Sequence, residues 1–303
     1  MSIRQVKRGT AGGEGCWFKS SLFVLLAGIA FWVFQLFEAR QSPASAPYQH
    51  ESYRPSAVSH VPEELLPAGT TGTVIRRTYY VLSYSHEHKQ AEWVAYELLR
   101  ERLVQPWVER SSHFKPDPDV PGGGATPRDY SGSGYDRGHL VPAADMAFDR
   151  LAMDETFLMT NISPQERLFN GGIWRELEEN TRDWAKMLEQ LYIVTGPVLT
   201  RPAKERIGAN KVAVPAAFYK VILAPRQRRA IAFVIPNERQ ERHLMEYACP
   251  IDEVEAVTGI DFFPIVLGGE NAHIEASVEK SLWPVNARRY ERRLRQWNTR
   301  SNR

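Results

Sequence analysis

The longest apolar segment of the chain lies near its amino terminus. Residues 20–37 read SSLFVLLAGIAFWVFQLF and contain no charged side chain. As a helix the segment would extend roughly 27 Å, close to the hydrocarbon thickness of a bilayer of about 30 Å. Basic side chains precede it at positions 4, 7, 8 and 19, whereas Glu38 and Arg40 follow it. This bias predicts a single-pass transmembrane anchor, with residues 1–19 in the cytoplasm and the rest of the chain on the extracytoplasmic side.

A cleaved signal peptide is the main alternative to an uncleaved anchor. The apolar region of a signal peptide is usually shorter, about 7 to 15 residues. Small residues at Ala44–Ala46 resemble a cleavage site, but Pro47 directly after them is unfavourable for cleavage. An anchor in the mitochondrial intermembrane space would show the same pattern as one facing the bacterial periplasm or exterior.

Beyond the anchor, the pattern of polar and apolar positions divides the chain into a linker and a globular domain. Residues 38–69 are rich in Ser, Pro and Ala and predict a flexible linker, and residues 70–303 predict one domain. Strand-like composition marks segments 77–85, 191–199, 211–224 and 230–236, and helical spacing marks segment 90–103. Because these elements do not alternate regularly, the pattern favours an α+β fold.

The segment 160–191, TNISPQERLFNGGIWRELEENTRDWAKMLEQL, predicts a second, longer helix. Asn170 before two glycines reads as its amino-terminal cap. One face of this helix is apolar and is expected to be buried; it carries Ile173, Leu177, Trp184, Leu188 and Leu191. A ridge beside that face holds residues spaced by four, namely Asn170, Trp174, Glu178 and Arg182.

Charge and cysteine content exclude several classes of protein. The formal net charge is +2 over 303 residues, so overall charge does not indicate a polyanion partner. Two cysteines in a chain of this length exclude a disulfide framework. The sequence contains no glycine-rich phosphate loop, no CxxC pair and no GxSxG elbow.

The stretch GYDRGHLVPAADM, residues 134–146, carries the strongest candidate chemistry. It brings Asp136, Arg137 and His139 together around Gly138. Alone, a histidine of this kind is usually a hydrogen-bonded turn residue, and Glu178 with Arg182 is usually an exposed i,i+4 ion pair. Together, the two segments offer a general base and the oxygen ligands that suit a hydrated Mg²⁺ ion.

The two segments resemble the DNA/RNA non-specific endonucleases, the family of endonuclease G and the secreted bacterial nucleases. DRGH is similar to that family's active-site signature, and NISPQ with FNGGIW, followed by Glu and Arg on a helix, is similar to its second motif. The resemblance extends from Tyr79 to about Pro264. It implies a ββα-metal (His-Me finger) fold, in which a β-hairpin carries the histidine, beside a central mixed or antiparallel sheet.

The resemblance also implies the chemistry of three residues. His139 is similar to the general base that activates water, with a near-neutral pKa that needs little tuning. Asn170 is similar to the direct protein ligand of the metal, and Glu178 to the residue that holds the metal's water shell. The implied cofactor is Mg²⁺, with Mn²⁺ as a substitute.

The remaining residues of the motifs are expected to contact the phosphate or to support the site. Arg137 and Arg182 are similar to family arginines that contribute to catalysis by binding the phosphate. Asp136 and Asn161 match the family pattern as supporting residues, although turn and capping roles explain them nearly as well. His86 and His88 have metal-like spacing without a third ligand, so they are expected to be surface residues at a helix start.

These observations predict a membrane-tethered, Mg²⁺-dependent endonuclease that acts on DNA and RNA. The alternatives are a catalytically silent nucleic-acid-binding membrane protein of the same fold, and an adhesin or membrane-assembly protein. The tail 287–303 carries seven arginines and one glutamate around Tyr290 and Trp297. It suits a nucleic-acid contact and a solvated or membrane-facing helix equally well. Whether the chain forms a homodimer is left open.

The predicted anchor leads to a test of topology. Full-length protein should remain in the membrane fraction after a high-salt wash, because an apolar helix is held by the hydrocarbon core and not by charge. Fractionation followed by immunoblotting measures this. Recovery of a soluble mature form that begins near Pro47 would contradict the uncleaved anchor.

Overall fold

The structure is a computed structural model that describes residues 59–267 and 269–301. The predicted anchor at residues 20–37 lies outside these residues. Within the described ranges, no helix is both long and apolar enough to cross a bilayer. The segment 61–69 overlaps the predicted linker, yet Val61 and Leu65 are buried and Ala68 bridges to Asp261. Residues 61–69 are therefore part of the packed domain.

A seven-stranded antiparallel sheet forms the centre of the domain. In spatial order its strands are β1 (Thr73–Arg76), β2 (Tyr80–Ser85), β3 (Gln90–Leu99), β6 (Gln190–Pro197), β9 (Ala217–Ala224), β10 (Arg229–Pro236) and β11 (Ala248–Cys249). Two small ribbons accompany it: β4 (Asp136–His139) with β5 (Ile162–Gln165), and β7 (Arg206–Ile207) with β8 (Val212–Ala213). This arrangement confirms the predicted α+β class and the strand-like segments.

Helices and short turns cover the sheet. The α-helices are α1 (Arg100–Leu103), α2 (Arg150–Glu155), α3 (Arg167–Phe169), α4 (Arg175–Leu188), α5 (Ile251–Thr258), α6 (Pro264–Leu267) and α7 (Ala287–Ser301). A π-helical turn, Asn170–Trp174, joins α3 to α4. The 3-10 turns are Glu63–Leu65, Pro127–Tyr130, Ala143–Asp145, Met159–Asn161, Leu244–Glu246, Gly269–Ile274 and Lys280–Leu282.

Both faces of the central sheet are buried. One face packs against α4 through residues such as Tyr96, Leu177 and Trp184. The other packs against α5 and the segment after it, through residues such as Trp93 and Phe262. A strand buried on both faces reads as a nearly continuous apolar run, and every residue of β9 is buried accordingly.

Burial of both faces of the central sheet explains why the helix predicted at 90–103 is wrong for most of its length. Residues Gln90–Leu99 form β3, which pairs with β2 and β6, and only Arg100–Leu103 are helical. Trp93 packs on one face of the sheet, whereas Val94 and Tyr96 pack on the other. Because β3 carries apolar residues on both of its faces, their spacing along the sequence matched the spacing expected for the apolar face of a helix.

The predicted start and end of the long helix are also wrong. Glu166, not Asn170, caps the first turn, because its Oε2 accepts the Phe169 backbone N–H at 2.8 Å. Asn170 lies inside the π-helical turn, where Gly172 adopts the non-helical angles φ −105° and ψ −112°. The helix ends at Leu188, and Leu191 belongs to β6.

A buried ion pair attaches the long loop before β4 to the sheet. Arg77, fully buried, donates to both carboxylate oxygens of Asp117 at 2.5 Å and to Asp119 at 2.5 Å. The Thr160 hydroxyl donates to the same Asp117 carboxylate at 2.5 Å. Asp117 and Asp119 of the loop that leads into the candidate motif are therefore held by Arg77, and Asp117 also by Thr160.

This ion pair leads to a stability prediction. Arg77→Met should lower the free energy of unfolding by about 3 to 5 kcal/mol, because it leaves a buried carboxylate without its countercharge. Arg76→Met is the matched control: its ion pair with Glu63 has side-chain exposures of 42% and 68%, and its loss should cost less than about 1 kcal/mol. Chemical denaturation followed by tryptophan fluorescence measures both. Equal effects of the two substitutions would contradict the role of the buried pair.

Candidate active site

The ribbon β4–β5 presents the residues of the DRGH motif. The strands pair Asp136 with Gln165 and His139 with Ile162. A Cβ atom at Gly138 would lie 2.1 Å from the Gln165 side chain, closer than any real Cβ contact. The glycine is therefore needed because the buried Gln165 side chain lies directly over its backbone. Successive residues of a strand point to opposite faces, so Arg137 and His139 share one face of β4.

The His139 ring is enclosed by aromatic side chains. Its centre lies 4.8 Å from that of Phe157 in an edge-on arrangement and 5.5 Å from that of Phe114. Its Nε2 atom is shielded from solvent and makes no hydrogen bond to any described residue. Burial, together with a smaller effect of the positive charge of Arg110, lowers the pKa of His139 to about 3. The expectation of a near-neutral pKa without tuning is wrong, and the imidazole is neutral at pH 7.

Arg137 lies beside His139 and is also held in place. One of its Nη atoms donates to the Pro127 carbonyl at 2.9 Å, and its guanidinium lies 5.4 Å from the centre of the Phe114 ring. A guanidinium has five N–H donors, so this contact leaves donors for a second partner. Arg137 and His139 therefore both pack near the Phe114 ring.

The Asn170 amide contacts the first residue of β4. Its Nδ2 donates to Asp136 Oδ2 at 2.9 Å, and its backbone N–H donates to the Glu166 carbonyl at 2.8 Å. Because an ionised carboxylate can only accept, the amide must present its NH₂ group to Asp136. The Asn170 Oδ1 atom is thereby turned away from Asp136, as an oxygen donor that suits a hard cation.

Arg182 is fixed by a partly buried ion pair. Its Nη1 lies 2.7 Å from Asp145 Oδ1, with side-chain exposures of 13% and 1%. The other oxygen of Asp145 accepts from the Tyr96 hydroxyl at 2.9 Å. Arg182 is therefore not half of an exposed pair with Glu178, and its position depends on a carboxylate contributed by the DRGH-containing segment.

Glu178 lies in a cluster of opposing charges. Burial raises the pKa of Glu178 to about 7, against the lowering effects of Arg182, Lys220 and Arg110. Lys220 is fully buried in β9, and its Nζ lies 5.3 Å from the Trp174 ring and 5.9 Å from the Tyr96 ring. Burial lowers the pKa of Lys220 to about 8. Both pKa values lie close to neutral pH, so a small change in the surroundings changes the charge of Glu178 or of Lys220.

Sequence reasoning missed three of these residues. Arg110 lies in a loop without periodicity, yet its guanidinium is 5.2 Å from the Phe157 ring and its charge acts on both His139 and Glu178. Asp145 stands inside the quoted motif. Lys220 is a charged residue within the apolar strand AFYKVILA. Lysine is almost never fully buried unless its charge is paired, so the sequence alone could have indicated this position.

Asn161 supports the chain directly after His139. Its Oδ1 accepts the Val141 N–H at 2.9 Å, and its Nδ2 donates to the Val141 carbonyl at 3.0 Å and to the Thr156 carbonyl at 2.9 Å. All the polar atoms of this buried amide are thus used by backbone groups. The geometry ties the His139 strand to the segment before β5.

His86 and His88 lie in the turn between β2 and β3, not at a helix start. His86 Nε2 is 3.1 Å from the Thr73 hydroxyl, and His88 Nδ1 is 2.9 Å from the Ser85 hydroxyl. In the part of the chain that the structure describes, no group of three or more His, Cys, Asp or Glu side chains is arranged to hold a metal ion.

Known proteins are similar to this chain over most of its described residues. A family model described as DNA/RNA non-specific endonuclease matches residues 60–267. The mitochondrial nuclease EXOG of Xenopus laevis is 36% identical over 248 residues, which cover 76% of this chain and 67% of the relative. Nuclease C1 of Cunninghamella echinulata var. echinulata is 37% identical over 222 residues, covering 66% of this chain and 88% of the relative.

Other matches differ in how much of the relative they cover. The mouse EXOG nuclease is 36% identical, but the match spans only 58% of its length. A crystal structure of an EndoG/EndoGI complex contains a chain that is 32% identical with a TM-score of 0.60, covering 65% of this chain and 87% of that one. With the family model matching more than half of the residues, this chain belongs to the DNA/RNA non-specific endonuclease family.

Proposed function

We propose that this protein is a divalent-cation-dependent endonuclease that hydrolyses phosphodiester bonds of DNA and RNA with little sequence preference and leaves 5′-phosphates. The observation that carries the proposal is the 2.9 Å hydrogen bond from Asn170 to Asp136, because it joins the second motif to the DRGH strand and uses the NH₂ group of the amide, which leaves its oxygen as the donor for a cation. Membership of the endonuclease family supports the reaction class.

The residues present fit a hydrated Mg²⁺ ion, with Mn²⁺ as a substitute. Mg²⁺ keeps several of its waters and needs only one or two protein oxygens, so Asn170 Oδ1 is sufficient as a direct ligand. Glu178, on the helix that follows the Asn170 turn, would hold the water shell through its carboxylate. When bound, the cation neutralises charge on the phosphate and on the leaving oxygen.

His139 would act as the general base that takes a proton from the attacking water. Its neutral ring keeps an unprotonated nitrogen at pH 7, which the role requires. A pKa of about 3 makes the ring a weak base in the protein alone. An anionic phosphate beside the ring stabilises the imidazolium and raises this pKa, so the base is strengthened where substrate is bound.

Arg137 and Arg182 would bind the phosphate. Both guanidinium groups are held by a protein partner, the Pro127 carbonyl in one case and Asp145 in the other. An arginine whose position is already fixed loses less side-chain entropy when it binds an oxyanion. Arg110 adds a positive charge to the same site, since it acts electrostatically on both His139 and Glu178.

The membrane anchor at residues 20–37 is part of the proposal. The uncharged segment and the basic residues before it support this anchor and place the nuclease domain on the extracytoplasmic side. A nuclease in that position would meet nucleic acid outside the cytoplasm, in the periplasm or beyond, or in the intermembrane space of a mitochondrion.

Plasmid nicking tests the proposed reaction. Cleavage should stop in EDTA and return with Mg²⁺, because the charge on the phosphate needs a cation. Asn170→Ala should abolish cleavage at any Mg²⁺ concentration, whereas Glu178→Ala should be partly restored by excess Mg²⁺, since its contacts run through water. A protein that binds DNA but does not nick it with any divalent metal would instead be the catalytically silent binder.

A second test addresses the base. His139→Ala should reduce turnover by about 10² to 10⁴-fold, the usual effect of removing a positioned base, while DNA affinity stays unchanged. His86→Ala is the control, because His86 is exposed in the turn between β2 and β3. Melting temperature, DNA affinity and turnover are measured on one preparation. An early-melting His139→Ala protein with wild-type turnover per folded molecule would show that the residue is structural.

A further inference from the structure

The segment that follows the family match runs along the length of α4. The family model ends at residue 267, and residues 283–295 lie beyond it. The Trp283 ring meets the Trp184 ring edge-on at 5.2 Å, and the Pro284 carbonyl accepts from Trp184 Nε1 at 2.7 Å. The Asn286 backbone N–H donates to Asn180 Oδ1 at 3.2 Å. The carboxyl-terminal segment therefore packs on the helix that carries Glu178.

Two arginines of α7 face the acidic side of α4. Arg289 lies 3.0 Å from Glu179 and 2.7 Å from Asp183. Arg293 lies 2.8 Å from Glu176 and 2.7 Å from Glu179. The arginine side chains are only 19% and 11% exposed, and that of Glu176 is 2% exposed. Apart from Asp183, whose side chain is 47% exposed, the partners are largely shielded from water, and the ion pairs fix one helix against the other.

Arg293 makes one contact that Arg289 does not. Its Nη1 lies 3.4 Å from the carbonyl oxygen of Gly172, within the π-helical turn that begins at Asn170. Gly172 is the residue at which that turn departs from helical angles. A guanidinium that bridges Glu176 and this carbonyl connects the regular part of α4 to the turn that positions the Asn170 amide.

We propose that Arg293 is a positioning residue for the divalent-cation site. Its bridge from Glu176 and Glu179 to the Gly172 carbonyl holds the turn in the conformation that presents Asn170 Oδ1. This inference rests on the proposed function, and it gives the arginine-rich tail a role inside the enzyme. The cation affinity of this nuclease then depends on a segment outside the part that matches the family model.

The test compares two arginines of the same helix in the full-length protein. Mn²⁺ binding is measured by electron paramagnetic resonance of the free ion, which needs no turnover, together with the Mg²⁺ dependence of nicking. Arg293→Ala should weaken Mn²⁺ binding about tenfold, the lower end of the loss seen when the partner of a metal ligand is removed. Arg289→Ala breaks ion pairs to the same acidic face but does not touch the turn. It should lower the melting temperature and leave Mn²⁺ affinity unchanged.

Two further variants complete the design. Arg292→Ala removes an exposed arginine of α7 and should change neither quantity. Arg293→Lys keeps the charge but cannot bridge three oxygens as a guanidinium does, so it should give a smaller loss of Mn²⁺ affinity and serves if Arg293→Ala does not fold. All measurements are made well below the lowest melting temperature.

The outcomes separate this inference from the proposed function. Unchanged Mn²⁺ affinity in both Arg293 variants, or equal losses in Arg293→Ala and Arg289→Ala, would overturn the positioning role while the wild type remains an active nuclease. A wild-type protein that neither binds Mn²⁺ nor nicks DNA would instead remove the proposed function, and the positioning role with it. The positioning role is supported if only the Arg293 variants lose Mn²⁺ affinity and if Arg293→Ala loses more than Arg293→Lys.

Discussion

The hydrogen bond from the Asn170 amide to the Asp136 carboxylate joins the two halves of the site. One partner lies on strand β4 and the other on the turn before α4, so the bond fixes both the distance between these elements and the orientation of the amide. Gly138 shapes strand β4 near this bond, because its missing side chain leaves room for Gln165. The turn that carries Asn170 departs from helical angles at Gly172.

Burial controls the charge of the groups around this bond. It moves Glu178 and Lys220 towards their neutral forms, to pKa values of about 7 and about 8, and it keeps the His139 ring neutral. A cation near Glu178 and a phosphate near His139 act in the opposite direction, because each favours the charged form of its neighbour. At pH 7 the protein alone therefore leaves His139 neutral and Glu178 partly protonated, and ligands of the expected signs would favour the charged forms of both.

The residues proposed for this site could be selected from the sequence, because they lie in short contiguous motifs. The DRGH strand and the spacing of Asn170, Glu178 and Arg182 required no knowledge of distant contacts. The helix predicted for residues 90–99 failed because burial on both faces of a central strand is a property of the sheet, which local spacing does not contain. The assignment of Asn170 as a cap failed because Glu166, four residues earlier, already satisfies the first turn.

The partners of the charged residues in the arginine-rich tail also could not be predicted from local sequence. Its seven arginines suit a nucleic-acid contact and a solvated or membrane-facing helix equally well, whereas two of them form ion pairs with Glu176, Glu179 and Asp183 on the side of α4 that faces α7. Those carboxylates precede the tail by more than a hundred positions, so only the packed structure shows the complementarity. One ridge of α4 thus carries Glu178 and Arg182, while its acidic residues receive the tail. The tail therefore packs on the same helix that carries the proposed site residues Glu178 and Arg182.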